Sequence, residues 1–275
     1  KEKLPLILDE NIKVGNSLVS GTEEELKKYF GDAWRDKRPF NWEKEFPNIM
    51  QRGGFDVVVG NPPYASFGLR GSEAMEEQLS LYLRDRFPNS AEYKLSTYAI
   101  FIDRGLQMLR EGGYFGYILP DSFLLGRFFS KLRKRILDSC AIREIVLFAH
   151  DFWSGGTIGL PVIPILQRVA NEQTRWDNQV GVRLSTDLDE LRSGNFSKSF
   201  SYEQSYFDLL LHNRFRLFFD AESKNLVAKM DKYSAKLGAV VTFASGLIGK
   251  GGKNQIVNTK KLGQDWLPGL LSGSE

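Results

Sequence analysis

The stretch Phe55-Asp56-Val57-Val58-Val59-Gly60 runs straight into Asn61-Pro62-Pro63-Tyr64, and this junction constrains the chain more than any other part of its 275 residues. Three consecutive valines, stiff at χ1, predict a strand covered on both faces. The prolines cannot donate to a ladder, so the strand must stop there, with Asn61 and Tyr64 at its carboxyl edge. In open α/β sheets that edge is where ligands bind. An amide, two main-chain carbonyls and an aromatic face are thereby presented together, a set suited to something flat and amine-bearing.

An aromatic amine is a poor nucleophile because its lone pair is spread into the ring. If its hydrogens are accepted by the Asn61 side-chain oxygen and the Pro62 carbonyl, the nitrogen becomes more tetrahedral and the lone pair localises for attack on a methyl donor. The prolines hold both dipoles in place, so little reorganisation is needed. Tyr64 can stack on the base plane, an interaction worth about 1 to 3 kcal/mol per base.

Asn61-Pro62-Pro63-Tyr64 after an apolar strand resembles motif IV of the S-adenosylmethionine-dependent amino-methyltransferases. More narrowly, the chain resembles the adenine-specific DNA methyltransferases of bacterial restriction-modification systems, the TaqI-like group and the fused restriction-methylation enzymes. Further matches follow in order. Ile12-Lys13-Val14-Gly15-Asn16-Ser17-Leu18 looks like the strand and loop of motif III, which implies cofactor-binding roles for Asn16 and Ser17, although the family usually has Asp where Asn16 stands. Tyr98-Ala99-Ile100-Phe101-Ile102 resembles the helix after motif IV, with Phe101 lining the cofactor pocket; the same residues also read as a core stripe with Gly105, Leu106 and Leu109. Gly112-Gly113 reads as the cap that ends this helix. Tyr114 to Leu119, stopped by Pro120-Asp121-Ser122-Phe123, resembles motif VI. After a buried strand at Ile142 to Phe148, His150-Asp151-Phe152-Trp153 resembles motif VIII, which implies that Phe152, or its neighbour Trp153, touches an extruded base.

The resemblance implies an α/β fold: a partial Rossmann-like sheet of S-adenosylmethionine-dependent methyltransferase type lacking its first strands, followed by the start of a target-recognition domain. Residues 1–170 form the partial catalytic domain in this reading, with alternating strands and helices. One such helix is capped by Ser72 and bears Met75, Leu79, Tyr82, Leu83 and Phe87. Residues 171–236 form a more polar connecting segment, with short helices at Asp187 to Leu191 and Ala221 to Tyr233. Residues 237–275 open the recognition domain with a strand at Leu237 to Phe243 and a glycine-rich basic loop carrying Lys250 and Lys253. The strand matching the one that follows motif VIII, Gly159 to Arg168, contains Pro161 and Pro164, so it must be bulged or lie at an edge.

The family also carries a glycine-containing loop after its first strand and an acidic residue at the end of its second. Eleven residues precede Ile12, too few for two strands and a helix, so the resemblance implies an internal piece of a longer protein. Such a piece would expose one edge of its sheet, bind cofactor weakly and lack turnover. The implied partner is double-stranded DNA. Net charge is only +3, but Arg127, Lys131, Arg133, Lys134 and Arg135 cluster on one helix, either facing phosphates or forming a solvated face with Leu132 and Ile136 turned inward.

Other chemistries fare less well. The one cysteine, Cys140, excludes a disulfide framework and points to a reducing, cytoplasmic setting, and no apolar run is long enough to span a bilayer. Two histidines, His150 and His212, do not make a metal cluster. Asp121 has no acid-x-lysine partner downstream, and Glu25-Leu26-Lys27 lies on the wrong side, which disfavours a nuclease. Two alternatives stay open. Release-factor methyltransferases share the Asn-Pro-Pro-Tyr ending and act on a protein glutamine amide, and a DNA-binding fragment without catalysis would keep the strand end as a vestige.

Overall fold

The computed structural model describes residues 11–67, 75–92, 95–150 and 159–235, with Ala239 and Val241. The strands are β1 (Phe55–Gly60), β2 (Ser66–Phe67), β3 (Leu95–Ser96), β4 (Leu109–Tyr117), β5 (Leu119–Pro120), β6 (Cys140–Phe148), β7 (Pro161–Arg168), β8 (Gln179–Ser185) and β9 (Lys198–Glu203). The α-helices of six or more described residues are α1 (Glu23–Phe30), α2 (Glu77–Arg86), α3 (Thr97–Met108), α4 (Ser130–Ser139), α5 (Leu188–Ser193) and α6 (Ala221–Tyr233). One compact unit runs to Ala221, and a second begins at Glu222.

The main sheet has the order β1-β4-β7-β6-β8-β9, with β5 also paired to β7. β1 and β4 are parallel and joined through α3, a βαβ arrangement. β7 runs antiparallel between β4 and β6, so this is a mixed α/β sheet, and the proline-bearing strand expected to be bulged or at an edge lies in its interior. Its prolines sit at its start and beside a gap on one side. Pro161 opens the strand opposite Pro120 of β5, and Pro164, paired with Ile145 of β6, has no partner on its other side, between Val162 against β5 and Ile165 against β4. A missing N–H costs least where no neighbour asks for it. The bulge lies on the partner strand, β6, between Ile142 and Glu144. Its freed backbone groups are closed by side chains: Ile142 N donates to Gln204 Oε1 at 2.8 Å, and Asn178 Nδ2 donates to Ile142 O at 2.8 Å.

α3 is the wall between two cores. Tyr98, Ala99, Ile102 and Leu106 pack with Phe115, Phe123, Leu132, Ile136 and Ile142, whereas Ile100 packs with Leu18, Val19, Leu26, Tyr82 and Phe87. Asp103 is also buried in this helix. Arg135 pairs with it at 2.8 Å, and Ser90 Oγ donates to it at 3.1 Å. Burial still pushes its carboxyl above the ordinary value.

Several expectations are corrected. Among the described residues β1 is not covered on both faces: it is an edge strand there, with Val57 56% and Val59 74% exposed, and of its valines only Val58 turns to the core. Ile12 to Val14 form no strand; Ile12 and Val14 are exposed, and Asn16 makes only an isolated bridge to Pro39. Gly112-Gly113 does not cap α3, which ends at Met108 as Leu109 turns extended to pair with Phe55. The next paired residues are Val57 and Tyr114, so residues 110–113 loop out opposite Asp56. Gly112 supplies a φ of +78°, and a Cβ on Gly113 would meet Phe55 O at 2.9 Å. Residues 179–203, read as part of a connecting segment, add two strands to the sheet.

The basic cluster is neither a phosphate row nor a solvated face as a whole. Leu132 and Ile136 are buried as expected, but so is Arg133. Its guanidinium donates to the carbonyls of Phe123, Gly126, His212 and Asn213 at 2.7 to 2.9 Å. Lys134 pairs with Asp138 and Asp208, and Arg135 with Asp103. Ser72 lies outside the described residues, as do all but Ala239 and Val241 of the strand expected at Leu237 to Phe243 and the basic loop carrying Lys250 and Lys253.

Candidate active site

β1 delivers its last residue, Gly60, to the carboxyl edge of the sheet, and the prolines turn the chain away there. Ile118, just past β4, donates its N–H to Gly60 O at 3.2 Å and so joins the ends of the two parallel strands. Asn61 is exposed, Pro62 buried and Tyr64 half-buried. The Tyr64 hydroxyl lies 2.8 Å from the Asn61 amide oxygen and 2.9 Å from the Ile118 carbonyl. Burial raises the Tyr64 phenol above its ordinary pKa, so it is a proton-bearing donor at neutral pH.

The N-terminus of α3 clamps the other side of the loop. Thr97 Oγ1 lies 2.5 Å from Pro63 O, to which it donates its one proton, and 3.0 Å from Ala65 O, which accepts from Thr97 N at 3.0 Å. Among the described residues no hydrogen bond reaches the Pro62 carbonyl. Tyr98, one residue on, sets its ring edge-on to Tyr64, with centroids 6.2 Å apart and planes at 89°. The Tyr98 hydroxyl is in turn 3.2 Å from Ser122 Oγ, which ties the site to the one-turn helix Ser122–Leu125 after β5.

The structure therefore brings Asn61, Pro62, Pro63 and Tyr64 into one hydrogen-bonded loop. Asn16 and Ser17 are half-buried and sit elsewhere on α3's surroundings: the next carbonyl, Leu18 O, accepts from Arg104 Nη2 at 3.3 Å, one turn beyond Phe101. Asn16 Oδ1 accepts from Leu18 N at 3.2 Å, which turns the oxygen into its own loop and leaves the amide nitrogen as the outward group. Phe101 is partly buried against the second core, beside Leu18 and Val19. Phe152 and Trp153 lie outside the described residues. Sequence reasoning did not find Thr97, Tyr98 as a prop for Tyr64, or the Ile118 carbonyl. Only Thr97 carried a signal, a hydroxyl residue at the start of an apolar helical stripe.

The class to which the chain belongs is that of the restriction-modification methylases. The chain is a member of the family described as Eco57I restriction-modification methylase, which it matches over residues 3–153. It is 33% identical over 151 residues to the type II restriction enzyme and methyltransferase RM.Eco57I of Escherichia coli, across 54% of this chain and 14% of that one. Over 105 residues it is 37% identical to the type II methyltransferase M.BstVI of Geobacillus stearothermophilus, across 38% of this chain and 17% of that one. The matched region is thus a small share of each relative's length. Among the described residues no helix is long and apolar enough to cross a membrane, and no group of three or more His, Cys, Asp or Glu side chains could hold a metal ion.

Proposed function

We propose that this chain carries the amine-binding half of a DNA adenine methyltransferase of a restriction-modification system. The observation that carries the reading is the pairing of an exposed Asn61 amide with a Pro62 carbonyl that accepts from no described residue, at the carboxyl edge of β1. Both are acceptors that an exocyclic amino group can satisfy at once. Tyr64 supplies a ring for stacking, which offsets the few kcal/mol that extruding a base from the duplex costs. Phe152 or Trp153 would cover the other side of that base.

S-adenosylmethionine fits the donor set of this chain and supplies, when bound, an electrophilic methyl on a sulfonium centre. The outward amide nitrogen of Asn16 complements a ring-nitrogen acceptor, the Ser17 hydroxyl a sugar or ring polar group, and Phe101 an apolar face. Asn61 and Pro62 orient the amine for in-line attack, and the fixed loop lowers the reorganisation that attack demands. Double-stranded DNA is the partner in this reading.

The test is methyl transfer by the full-length protein to DNA. Asn61→Ala should lower kcat by about a hundredfold, the order of loss that follows removal of one preorganised hydrogen-bonding group, with DNA binding retained. Equal activity in wild type and Asn61→Ala would remove the assignment, and transfer to a glutamine peptide but not to DNA would replace it.

A further inference from the structure

The Tyr64 hydroxyl carries one proton and touches two groups drawn as acceptors, Asn61 Oδ1 at 2.8 Å and Ile118 O at 2.9 Å. A backbone carbonyl can only accept, so the contact to Ile118 requires the phenolic proton. Asn61 can do either, because its amide ends differ in hydrogen bonding and hardly in shape. We propose that Tyr64 is a positioning residue: its hydroxyl donates to Ile118 O and accepts from Asn61 Nδ2, which turns Asn61 Oδ1 outward. The opposite arrangement would leave the Ile118 carbonyl unmatched beside a half-buried ring and would present an N–H to the ligand.

This orientation sets the ligand class. Thr97 occupies the Pro63 and Ala65 carbonyls, and with Oδ1 turned outward the loop presents Oδ1 together with the Pro62 carbonyl, which accepts from no described residue. Two such acceptors match a primary amine, which has two hydrogens to give, and do not match a ring carbonyl, which has none. A monomethylated amine has one hydrogen left and satisfies only one acceptor, so the product is held less well than the substrate. Selection for an amine rests on the methyltransferase reading above; the amide orientation does not.

The test separates the two. In the full-length protein labelled with 15N at asparagine side chains, an Asn61 Nδ2 proton should exchange with water about fivefold more slowly than in Tyr64→Phe, as one hydrogen bond implies. Equal exchange in the two proteins overturns the orientation, whatever the protein methylates. In methyl transfer to DNA, Tyr64→Phe keeps the stacking ring and should lose kcat by about tenfold with KM for DNA unchanged, within what one hydrogen bond supports. Unchanged kcat overturns the positioning role. Absence of transfer by the wild type overturns the functional reading, and the exchange comparison still decides the orientation.

Discussion

Arg133 is the residue whose surroundings differ most from what its neighbours in sequence suggest. It sits among four other cations between Arg127 and Arg135, yet it is fully buried and satisfies four backbone carbonyls. Burial draws its pKa down to about 10, so it is still charged at neutral pH. Arg133→Leu should lower the unfolding free energy by roughly 3 kcal/mol or more, because hydrogen bonds from a charged donor are the costly ones to lose. Arg133→Lys should restore little, lacking the planar fork. Urea unfolding measures both, and a loss under about 1 kcal/mol would sink the idea. The contrast with Asn61 explains what was legible at this scale. Asn61, Pro62, Pro63 and Tyr64 act together and are adjacent in sequence, so their chemistry could be read directly. Arg133's partners lie up to 80 residues away, and nothing local distinguishes it from Lys131.

Elements were legible where the pattern was local and failed where pairing decided. α5 was visible because Asp187 precedes an amphipathic run, and the carboxylate does accept from the N–H groups of Asp189 and Glu190 at 2.8 Å. The end of α3 was not, since Leu109 leaves the helix to pair with Phe55, a partner that local propensity does not reveal. Pro161 and Pro164 posed a conflict only until the break between β4 and β5 was known. α5 also carries a pH-sensitive clasp. Glu190 accepts from Thr186 N at 2.7 Å, Thr186 Oγ1 at 2.9 Å and Ser197 N at 3.0 Å, so it holds together the ends of the β8 to β9 connection. The backbone N–H of Thr186, first among these, draws its pKa down to about 2 from 4.5. A depressed carboxyl stabilises the fold above its unfolded value and loses that contribution as pH falls through the folded value. The clasp should therefore be intact above pH 4.5 and lost towards pH 2. Glu190→Gln has lost the charge at every pH, so its Tm should lie below the wild type at neutral pH and converge with it towards pH 2. A gap in Tm independent of pH would refute this.

At the scale of the molecule, the decisive feature is that the strand leading to the active loop is also the edge of the sheet. β1 pairs only with β4 among the described strands, and Val57 and Val59 stand exposed on it. Three valines in a row were read as a strand buried on both faces, and the residues are indeed of that kind; what covers a face, however, is a property of neighbours rather than of the strand. An edge with unpaired backbone groups and β-branched side chains is a template for pairing with another chain. The protections present are local: Asp56 pairs with Arg110 at 2.6 Å at one end, and the prolines stop the strand at the other. Between them nothing charged interrupts the run. The 275-residue chain should accordingly associate as its concentration rises, and the double variant Val57→Lys, Val59→Lys should associate less, because lysine on an edge blocks strand addition. Both side chains are exposed, so the variant should keep its stability within about 0.5 kcal/mol per site. Sedimentation velocity over a range of concentrations reads the outcome. If wild type and variant show the same concentration dependence, association does not run through β1, and the edge is covered by some other part of the protein.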